Sequence, residues 1–429
     1  MAEHIVIDAG AVLDVRTGRS LAKHRILIAG DRVEAILGPD ETIPDDARRI
    51  DLGNLTVLPG LIDCHTHLVG ELEFSGVPGA STSAAEEALV GVRNARATLE
   101  AGFTSVRDVG TYRAFVDVAL RDAIEMGWVS GPRMQAAGAY ITAPGGGGEV
   151  TGLARDIVLP ADLRFGVVRT PGEARQRVRD LAAGGADVIK LIVTGAVLTR
   201  GTRPGVVELD EPTVRAAVEE ATAHGLFVAA HAHGAAGIRI AARAGVRSIE
   251  HGSLVDDEGI ALLAESGTYL VADLYDGDWI AEVGRRDGWP AETMRKNDET
   301  TDAQRAGFRK AVEAGVRIAF GTDSGVYPHG RNARQFAYYV KYGLSPLEAI
   351  RSATVHAAEL MGWADRVGAI EPGLAADLVA VAGDPLADVG LLSDAAFVMK
   401  GGSVVRDARD PASGRAPRSA SRSNYSPDA

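Results

Sequence analysis

The chain has 429 residues, of which 46% are hydrophobic and 24% are charged, and this composition is typical of a folded globular protein. Its formal net charge of -13 argues against nucleic acid and anionic membranes as partners. The sequence has no long uncharged apolar run and no signal-peptide pattern at its start, so we expect a cytoplasmic protein. The single cysteine, Cys64, excludes an intrachain disulfide.

Both ends of the chain have the pattern of short β-strands. Residues 4–57 and 368–408 contain β-branched runs separated by Gly and Asp. We predict that these ends pair into one composite β-sandwich domain made of residues 1–57 and 366–409. The tail, residues 410–429, is rich in Pro, Ser and Arg, and this composition predicts disorder.

Residues 58–365 alternate between helical apolar spacing and short β-rich runs. In six units a helix-like segment ends near a Gly and a strand-like segment follows. Two further candidate strands raise the number to eight: GLIDCHTHL (60–68), AGFTSVRD (101–108), RMQAAGAY (133–140), GGADVIK (184–190), HGLFVAAH (224–231), AGVRSIEH (244–251), SGTYLVAD (266–273) and AGVRIAFGTD (314–323). Eight such units predict an α/β fold of the (β/α)8 TIM-barrel type, with a doubly wound sheet as the alternative.

Two connections between these units are long. They are residues 141–160, after the third candidate strand, and residues 275–298, after the seventh. Loops at the carboxyl ends of barrel strands carry function. Four consecutive glycines at 145–148 could form a phosphate cradle, but no P-loop lysine follows, so we expect a mobile loop over the site instead.

The first candidate strand ends in two histidines, His65 and His67, spaced i, i+2. On a β-strand this spacing places both imidazoles on one face, while Cys64 points the other way into the core. Two neutral imidazoles on a rigid strand can bind a metal ion. A half-buried strand with incidental polar residues is the alternative.

Later candidate strands also end in metal-binding side chains. They are Lys190, His231 with His233, His251, and Asp323. A single buried histidine is often structural, with its ring N–H bonded to a carbonyl. Five histidines at strand ends that converge on one barrel mouth are harder to explain in that way, and they predict a metal site.

Lys190 lies in a nearly continuous apolar strand, where its amine must lose a proton or find an anion. One interpretation is a salt bridge to Asp323 or another acid. The other is a carbamate, formed with CO2, that bridges two metal ions. An ammonium group close to a dication is strongly repelled at low dielectric, so bound metals would favour the carbamate.

The motifs GLIDCHTHL, ADVIKL, AAHAHG, SIEHGS and GTDSGVYPHGRNARQF resemble those of the amidohydrolase superfamily, within its imidazolonepropionase-related group. That group contains Xaa-Pro dipeptidases (prolidases) and ochratoxin-type amidases. The resemblance implies two divalent ions, Zn²⁺ in the first instance, with six ligands: His65, His67, His231, His251, N6-carboxylated Lys190, and Asp323.

The resemblance also implies roles around the substrate. Asp323 would be the catalytic acid and base, and His233 would contact the scissile carbonyl. We add Tyr140, Tyr275 and His329 as candidate substrate contacts. Relatives often carry Gly-Gly-His-Gly after the third strand, where this chain has four glycines, so one substrate contact is missing. The cations available for a product carboxylate are Arg200, Arg203, Arg331 and Arg334.

The resemblance implies hydrolysis of a peptide-like amide, in an Xaa-Pro or related dipeptide or an N-acyl amino acid. The alternatives are hydrolysis of a cyclic amide, lactone or carbamate, and deamination of a heterocycle, against which Lys190 argues. A catalytically silent binding protein is a third possibility, and the complete ligand set opposes it. We expect a small-molecule substrate, no nucleic acid or membrane partner, and a homo-oligomer.

Overall fold

The structure is a computed structural model that describes residues 4–69, 82–154 and 156–409. Its strands are β1 His4–Asp8, β2 Ala11–Asp14, β3 Arg19–Ala22, β4 Arg25–Ala29, β5 Arg32–Leu37, β6 Arg48–Asp51, β7 Leu55–Pro59, β8 Leu61–Thr66, β9 Phe103–Asp108, β10 Arg133–Ala136, β11 Tyr140–Ile141, β12 Val188–Ile192, β13 Phe227–Gly234, β14 Ser248–Leu254, β15 Tyr269–Val271, β16 Leu378–Ala382, β17 Phe397–Lys400 and β18 Ser403–Asp407. The predicted tail, 410–429, lies outside the described residues.

The helices lie mainly between the central strands. They are α1 Ala84–Glu100, α2 Val116–Glu125, α3 Pro171–Ala183, α4 Glu211–Ala223, α5 Ala235–Ala244, α6 Asp257–Ser266, α7 Asp276–Asp287, α8 Ala291–Glu313, α9 Arg334–Lys341, α10 Pro346–Ser352 and α11 Val355–Met361, with 3₁₀ turns at Ala161–Arg164 and Val389–Ser393. Thr170 and Asp210 cap α3 and α4 through their side-chain oxygens, and each helix has a proline in its first turn. Within the described ranges no helix is both long enough and apolar enough to cross a bilayer.

The two ends of the chain meet in a six-stranded sheet of order β18-β17-β16-β7-β2-β3. In the central antiparallel pair of this sheet, Leu378 of β16 lies opposite Pro59 of β7. A second sheet, β5-β4-β1-β6, shares one hydrophobic cluster with it, to which Ile7, Val57 and Phe397 contribute. The ends therefore pair directly, while a separate sandwich domain and its boundaries stay predictions.

The central strands pair in parallel throughout. They form a three-stranded sheet, β10-β9-β8, and a five-stranded sheet, β11-β12-β13-β14-β15. Every residue of β8, β9 and β12 is buried, which is typical of parallel strands that are covered on both faces. Since paired parallel strands run in the same direction, their carboxyl ends lie at a common edge of each sheet.

These two sheets do not join into a closed eight-stranded barrel in the described residues. The third candidate strand, expected over 133–140, is divided into β10 and β11, which belong to different sheets. The break lies at Gly138, whose φ of 78° is in the left-handed region. A Cβ there would lie 3.0 Å from a side-chain carbon of Leu181, so the chain turns where no side chain fits.

The eighth candidate strand, residues 314–323, forms isolated bridges and no continuous strand. Ile318 bridges Leu270 of β15, and Ser324 bridges Thr66 of β8. The amide of Asp323 also donates to a carbonyl of β8. The segment thus spans the gap between the two sheets, but the φ of 55° at Asp323 is incompatible with a regular ladder.

The connection at 275–298 was expected to be a loop, and this prediction is wrong. Almost all of it belongs to α7 and the start of α8. The buried residues Ile280, Val283 and Gly284 of α7 have the helical i, i+3, i+4 spacing. The break between the two helices, Gly288 to Pro290, supplied the turn signal that made the whole segment resemble a loop.

Candidate active site

The carboxyl ends of the parallel strands enclose one cavity. His65 lies near the end of β8, and His67 directly follows that strand. Strand β12 contributes Lys190, β13 contributes His231 and His233, and β14 contributes His251. Residues 317–324, which we call the bridging segment because they contact both central sheets, contribute Asp323. Seven of them line the cavity together: His65, His67, Lys190, His231, His233, His251 and Asp323. The structure thus brings together all six predicted metal-ligand positions, with His233 beside them.

The imidazole rings contact one another. The ring centroids of His65 and His251 are 4.8 Å apart, and those of His231 and His251 are 4.5 Å apart. The possible ligand atoms of His231, His233 and His251 lie within 4.8 Å of one another, as do those of His65, His251 and Asp323. His251 belongs to both groups, so the two groups adjoin.

The hydrogen bonds of His67 show which ring nitrogen faces the cavity. Its Nδ1 lies 2.8 Å from the carbonyl oxygen of Gly110, which can only accept, so Nδ1 carries the proton. Its Nε2 lies 3.1 Å from Asp323 Oδ1, and Nε2 of His65 lies 3.4 Å from the same oxygen. Burial lowers the pKa of His67, but Asp323 outweighs it and that pKa lies above its usual value, so a proton on Nε2 or a shared cation would satisfy this contact.

Burial controls the charges of the lining groups. It raises the pKa of the Asp323 carboxyl, but the adjacent His65 and His67 outweigh it, and that pKa lies well below its usual range. Burial and the neighbouring His251 lower the pKa of His233 to about 3. At neutral pH the cavity therefore holds an anionic Asp323 and a neutral His233.

Lys190 is almost fully buried, with 1% of its surface exposed. Burial lowers its pKa to about 8, although the charges of Glu250 and Asp323 oppose this shift. No acid in the described part of the chain forms an ion pair with its amine. The salt bridge considered from the sequence is therefore not formed, and the neutral amine needed for carbamate formation is accessible near neutral pH.

Two buried carboxylates contact the rings of site histidines. They were not predicted from the sequence. Glu250 Oε2 lies 2.8 Å from His65 Nδ1, and its Oε1 accepts from Arg107 at 2.8 Å. Asp273 Oδ2 lies 2.7 Å from His251 Nδ1. Such carboxylates fix the tautomer and orientation of metal-binding imidazoles. Each acid lies at the end of a candidate strand, and that position could have indicated from the sequence that it belongs to the site.

Replacing Asp273 by Asn is expected to weaken metal binding by about 10- to 100-fold, because the new amide cannot accept equally from both neighbours. At present Asp273 accepts from His251 and, at 2.7 Å, from Gln304. Competition with a metal chelator measures the affinity. Asp302→Asn is the control, since the side chain of Asp302 is 95% exposed. Equal affinities in the two variants would contradict the orienting role.

Two of the residues that line the cavity have strained backbone conformations. Of the four non-glycine residues with positive φ in the described ranges, two are His251, at 68°, and Asp323, at 55°. This region costs a residue with a side chain about 1–2 kcal/mol. Gln304 donates to the carbonyl oxygen of His251 at 3.2 Å and the amide of Asp323 donates to that of His65 at 2.9 Å, so hydrogen bonds hold both conformations.

The predicted substrate contacts divide into two groups. Tyr140 lines the cavity together with His233, and its hydroxyl lies 3.2 Å from His67 Nδ1. Tyr275 and His329 are not among the lining residues. The hydroxyl of Tyr275 accepts from a guanidinium at 3.0 Å, and His329 Nε2 lies 3.0 Å from the carbonyl oxygen of His67. These two side chains pack behind the wall and do not face the cavity.

The arginines considered for a product carboxylate also lie away from the cavity. Arg334 donates to Tyr275, and Arg331 stacks over the ring of Trp279 at 5.2 Å. Neither these two nor Arg200 and Arg203 line it. Among the described lining residues Lys190 is the sole cation, and much of the remaining surface is apolar: Val69, Ile192, Val197, Leu198, Ile280 and Val326.

The glycine loop reaches the cavity through Gly147. The amide of Gly147 donates to Glu208 Oε2 at 2.7 Å, and its carbonyl oxygen accepts from Thr199 at 2.6 Å. A Cβ at Gly147 would lie 3.0 Å from Ile192, so its packing leaves little room for a side chain. This part of the loop, expected to be mobile, is fastened to the cavity wall.

Imidazoles and a carboxylate that converge at the carboxyl ends of parallel strands are typical of metal-dependent enzymes with an α/β fold. Residues 56–406 match the Amidohydrolase family, and the chain belongs to that family. The amidohydrolase resemblance inferred from the strand-end motifs is therefore confirmed.

Two similar proteins and one similar solved structure place the chain within the family. Ochratoxinase from Aspergillus niger is 31% identical, with 91% of this chain and 86% of that protein aligned. Imidazolonepropionase from Chromobacterium violaceum is 29% identical over 84% and 85%. The crystal structure of a Xaa-Pro dipeptidase with bound methionine in the active site has a TM-score of 0.88 and 36% identity, covering 94% of this chain and 99% of that one.

Proposed function

We propose that this protein is a binuclear metal-dependent hydrolase that cleaves a peptide-like amide bond. Two divalent cations, zinc in the first instance, suit imidazole and carboxylate ligands. N6-carboxylated Lys190 would supply a bridging anion between them. The complete proposed ligand set is His65, His67, Lys190, His231, His251 and Asp323.

One observation carries this proposal. The Nε2 atoms of His65 and His67 face the same oxygen of Asp323, at 3.4 Å and 3.1 Å. Without a shared cation or proton these acceptors repel one another in a buried site. Lys190, in the same cavity, has an amine whose pKa of about 8 permits reaction with CO2.

Asp323 is the proposed proton carrier of the reaction. Divalent cations bound at this site would polarise the scissile carbonyl and lower the pKa of the attacking water. The Asp323 carboxylate accepts the proton of that water and delivers it to the leaving nitrogen. Amide cleavage needs this delivery, because an unprotonated amine anion is a poor leaving group.

His233 is the proposed donor to the developing oxyanion. Its Nδ1 lies 2.7 Å from Ser253 Oγ, and its own amide donates to Thr194 Oγ1 at 2.9 Å. When the Ser253 hydroxyl donates to Nδ1, Nε2 carries the proton and can donate to the carbonyl oxygen. A positioned donor of this kind stabilises a tetrahedral transition state.

The names of the relatives support a dipeptide or an N-acyl amino acid as substrate, and Xaa-Pro dipeptides are the first choice. The cavity supports a second candidate. Its described lining contains no arginine, and no lysine besides Lys190, that could pair with a free carboxylate. A cyclic amide, lactone or carbamate without that group would therefore also fit.

A substrate panel tests the proposed function. We expect the zinc-loaded protein to hydrolyse some members of a dipeptide library that varies the C-terminal residue among Pro, apolar, Arg and acidic types. Each dipeptide is matched by its C-terminally amidated form, and cyclic amides and lactones complete the panel. Chelation should abolish turnover and added zinc should restore it. Full activity in a metal-free preparation would refute the proposal.

The same proposal includes the finer architecture. The bridging segment 317–324 carries hydrogen bonds to both central sheets, which supports a (β/α)8 barrel over residues 58–365. The shared cluster of the two terminal sheets supports a composite sandwich of residues 1–57 and 366–409. Independent stability of the two parts on limited proteolysis would test these boundaries.

A further inference from the structure

One wall of the cavity is a short apolar segment between β12 and α4. We call residues 196–199 the wall segment, and all four of them line the cavity: Ala196, Val197, Leu198 and Thr199. The segment belongs to no helix or strand, so regular backbone hydrogen bonding does not hold it. Its position must therefore come from side chains that bind its carbonyl and amide groups.

Lys296 of α8 supplies the main anchor. Its Nζ donates to the carbonyl oxygen of Thr199 at 2.7 Å and lies 3.5 Å from that of Ala196. The side chain is 4% exposed, and its ammonium pairs with Glu292 one helical turn away, at 2.8 Å. Glu292 also accepts from the amide of Gly201 at 2.8 Å, so this ion pair contacts the segment at Thr199 and the chain two residues beyond it.

Further contacts connect the wall segment with the glycine loop. Thr199 Oγ1 donates to the carbonyl oxygen of Gly147, and the amide of Gly147 donates to Glu208. Thr202 Oγ1 donates to the carbonyl oxygen of Thr199 at 3.0 Å. The Lys296 ammonium thus stabilises the position of two cavity-lining loops although it is not itself among the lining residues.

We propose that Lys296 is a positioning residue that sets substrate specificity by fixing the wall segment as an apolar surface. This inference rests on the proposed amide hydrolysis and adds a substrate class to it. The group of the substrate that packs on Val197 and Leu198 is uncharged and apolar. Because Lys296 binds backbone carbonyls of the wall segment and does not itself line the cavity, its loss should change substrate binding more than the chemical step.

Lys296→Met keeps most of the side-chain volume and removes the ammonium. We expect KM to rise about tenfold for a substrate with a leucine-sized side chain and less than about twofold for its glycine analogue. The value of kcat and the zinc content should stay within about twofold of the unchanged protein. Lys310→Met is the matched control, since Lys310 lies on the same helix with 59% of its side chain exposed.

Hydrogen exchange gives a readout that needs no substrate. Amides of residues 194–207 should exchange at least about tenfold faster in Lys296→Met than in Lys310→Met, with α4 unchanged. Lys296→Arg, which keeps the charge and donors, should recover most of the protection. If Lys296→Met does not fold, Glu292→Gln tests the same anchor, since it weakens the pair and the bond to the Gly201 amide together.

The outcomes separate the two proposals. Unchanged exchange in residues 194–207, or an equal rise of KM for leucine-sized and glycine substrates, would overturn the role of Lys296. Faster exchange in a protein that hydrolyses no member of the amide panel would support the anchor and refute the proposed function. A fall in kcat with loss of zinc would also contradict a role confined to the wall segment.

Discussion

Replacing Asp323 by Asn is expected to lower kcat by about 10²- to 10⁴-fold, the range typical of a lost general acid–base group. The amide keeps the shape of the carboxylate and one oxygen for His65 and His67, but it cannot accept and release a proton near neutral pH. Some bound metal should therefore remain. Steady-state kinetics with elemental analysis of the same preparation would measure both effects.

The control for this variant is Asp302→Asn, a carboxylate removed from an exposed position on α8. It should have normal turnover and normal metal content. Turnover near normal in Asp323→Asn would exclude the proton-carrying role. Complete loss of metal in that variant would instead assign the residue to metal binding alone.

Replacing Lys190 by Ala is expected to remove most of the bound metal and to lower activity by about 10³-fold, since several kcal/mol of metal-derived stabilisation would be lost. If the lysine acts as a carbamate, the missing part is a carboxylate that bridges two cations. A small carboxylate such as acetate fits the space that the side chain leaves, and it should restore part of the activity and the metal.

Lys341→Ala, at an exposed position in α9, is the control. Its activity and metal content should stay normal, and acetate should not change them. The unchanged protein should lose activity when it is prepared without CO2 and regain it with bicarbonate. If acetate has no effect and activity is independent of CO2, Lys190 acts as a simple amine and the bridging carbamate is refuted.

The histidines and Lys190 were predictable because they depend on a local pattern. Alternation along a strand puts His65 and His67 on one face, and the end of a parallel strand puts them at the site edge. The roles of Glu250 and Asp273 depend on which neighbouring ring each carboxylate meets across the sheets. A contact between His65 and a residue 185 positions later is not encoded in any local spacing.

Tyr275 and His329 also show that local spacing does not encode which residues meet: both were predicted to contact the substrate, and neither is among the residues that line the cavity. Both lie close in sequence to site residues, but a side chain in the loop beyond a strand end can turn toward the cavity or behind it. The conformation of Asp323, with φ at 55°, turns the following segment away from a regular strand, and periodicity cannot predict that turn. The helices α7 and α8 were not predicted, because the break between them at Gly288 to Pro290 is typical of a loop.

The pairing of β7 with β16 has a consequence for how this enzyme is made. Strand β7 runs almost directly into β8, which carries His65, and Leu55 of β7 lies opposite Ala382 of β16. During synthesis one neighbour of β7, strand β2, emerges before it, but the other, β16, emerges only after all six proposed metal ligands. Because this pairing joins residues more than three hundred positions apart, the sheet that unites the two ends can be completed only when the chain is nearly finished.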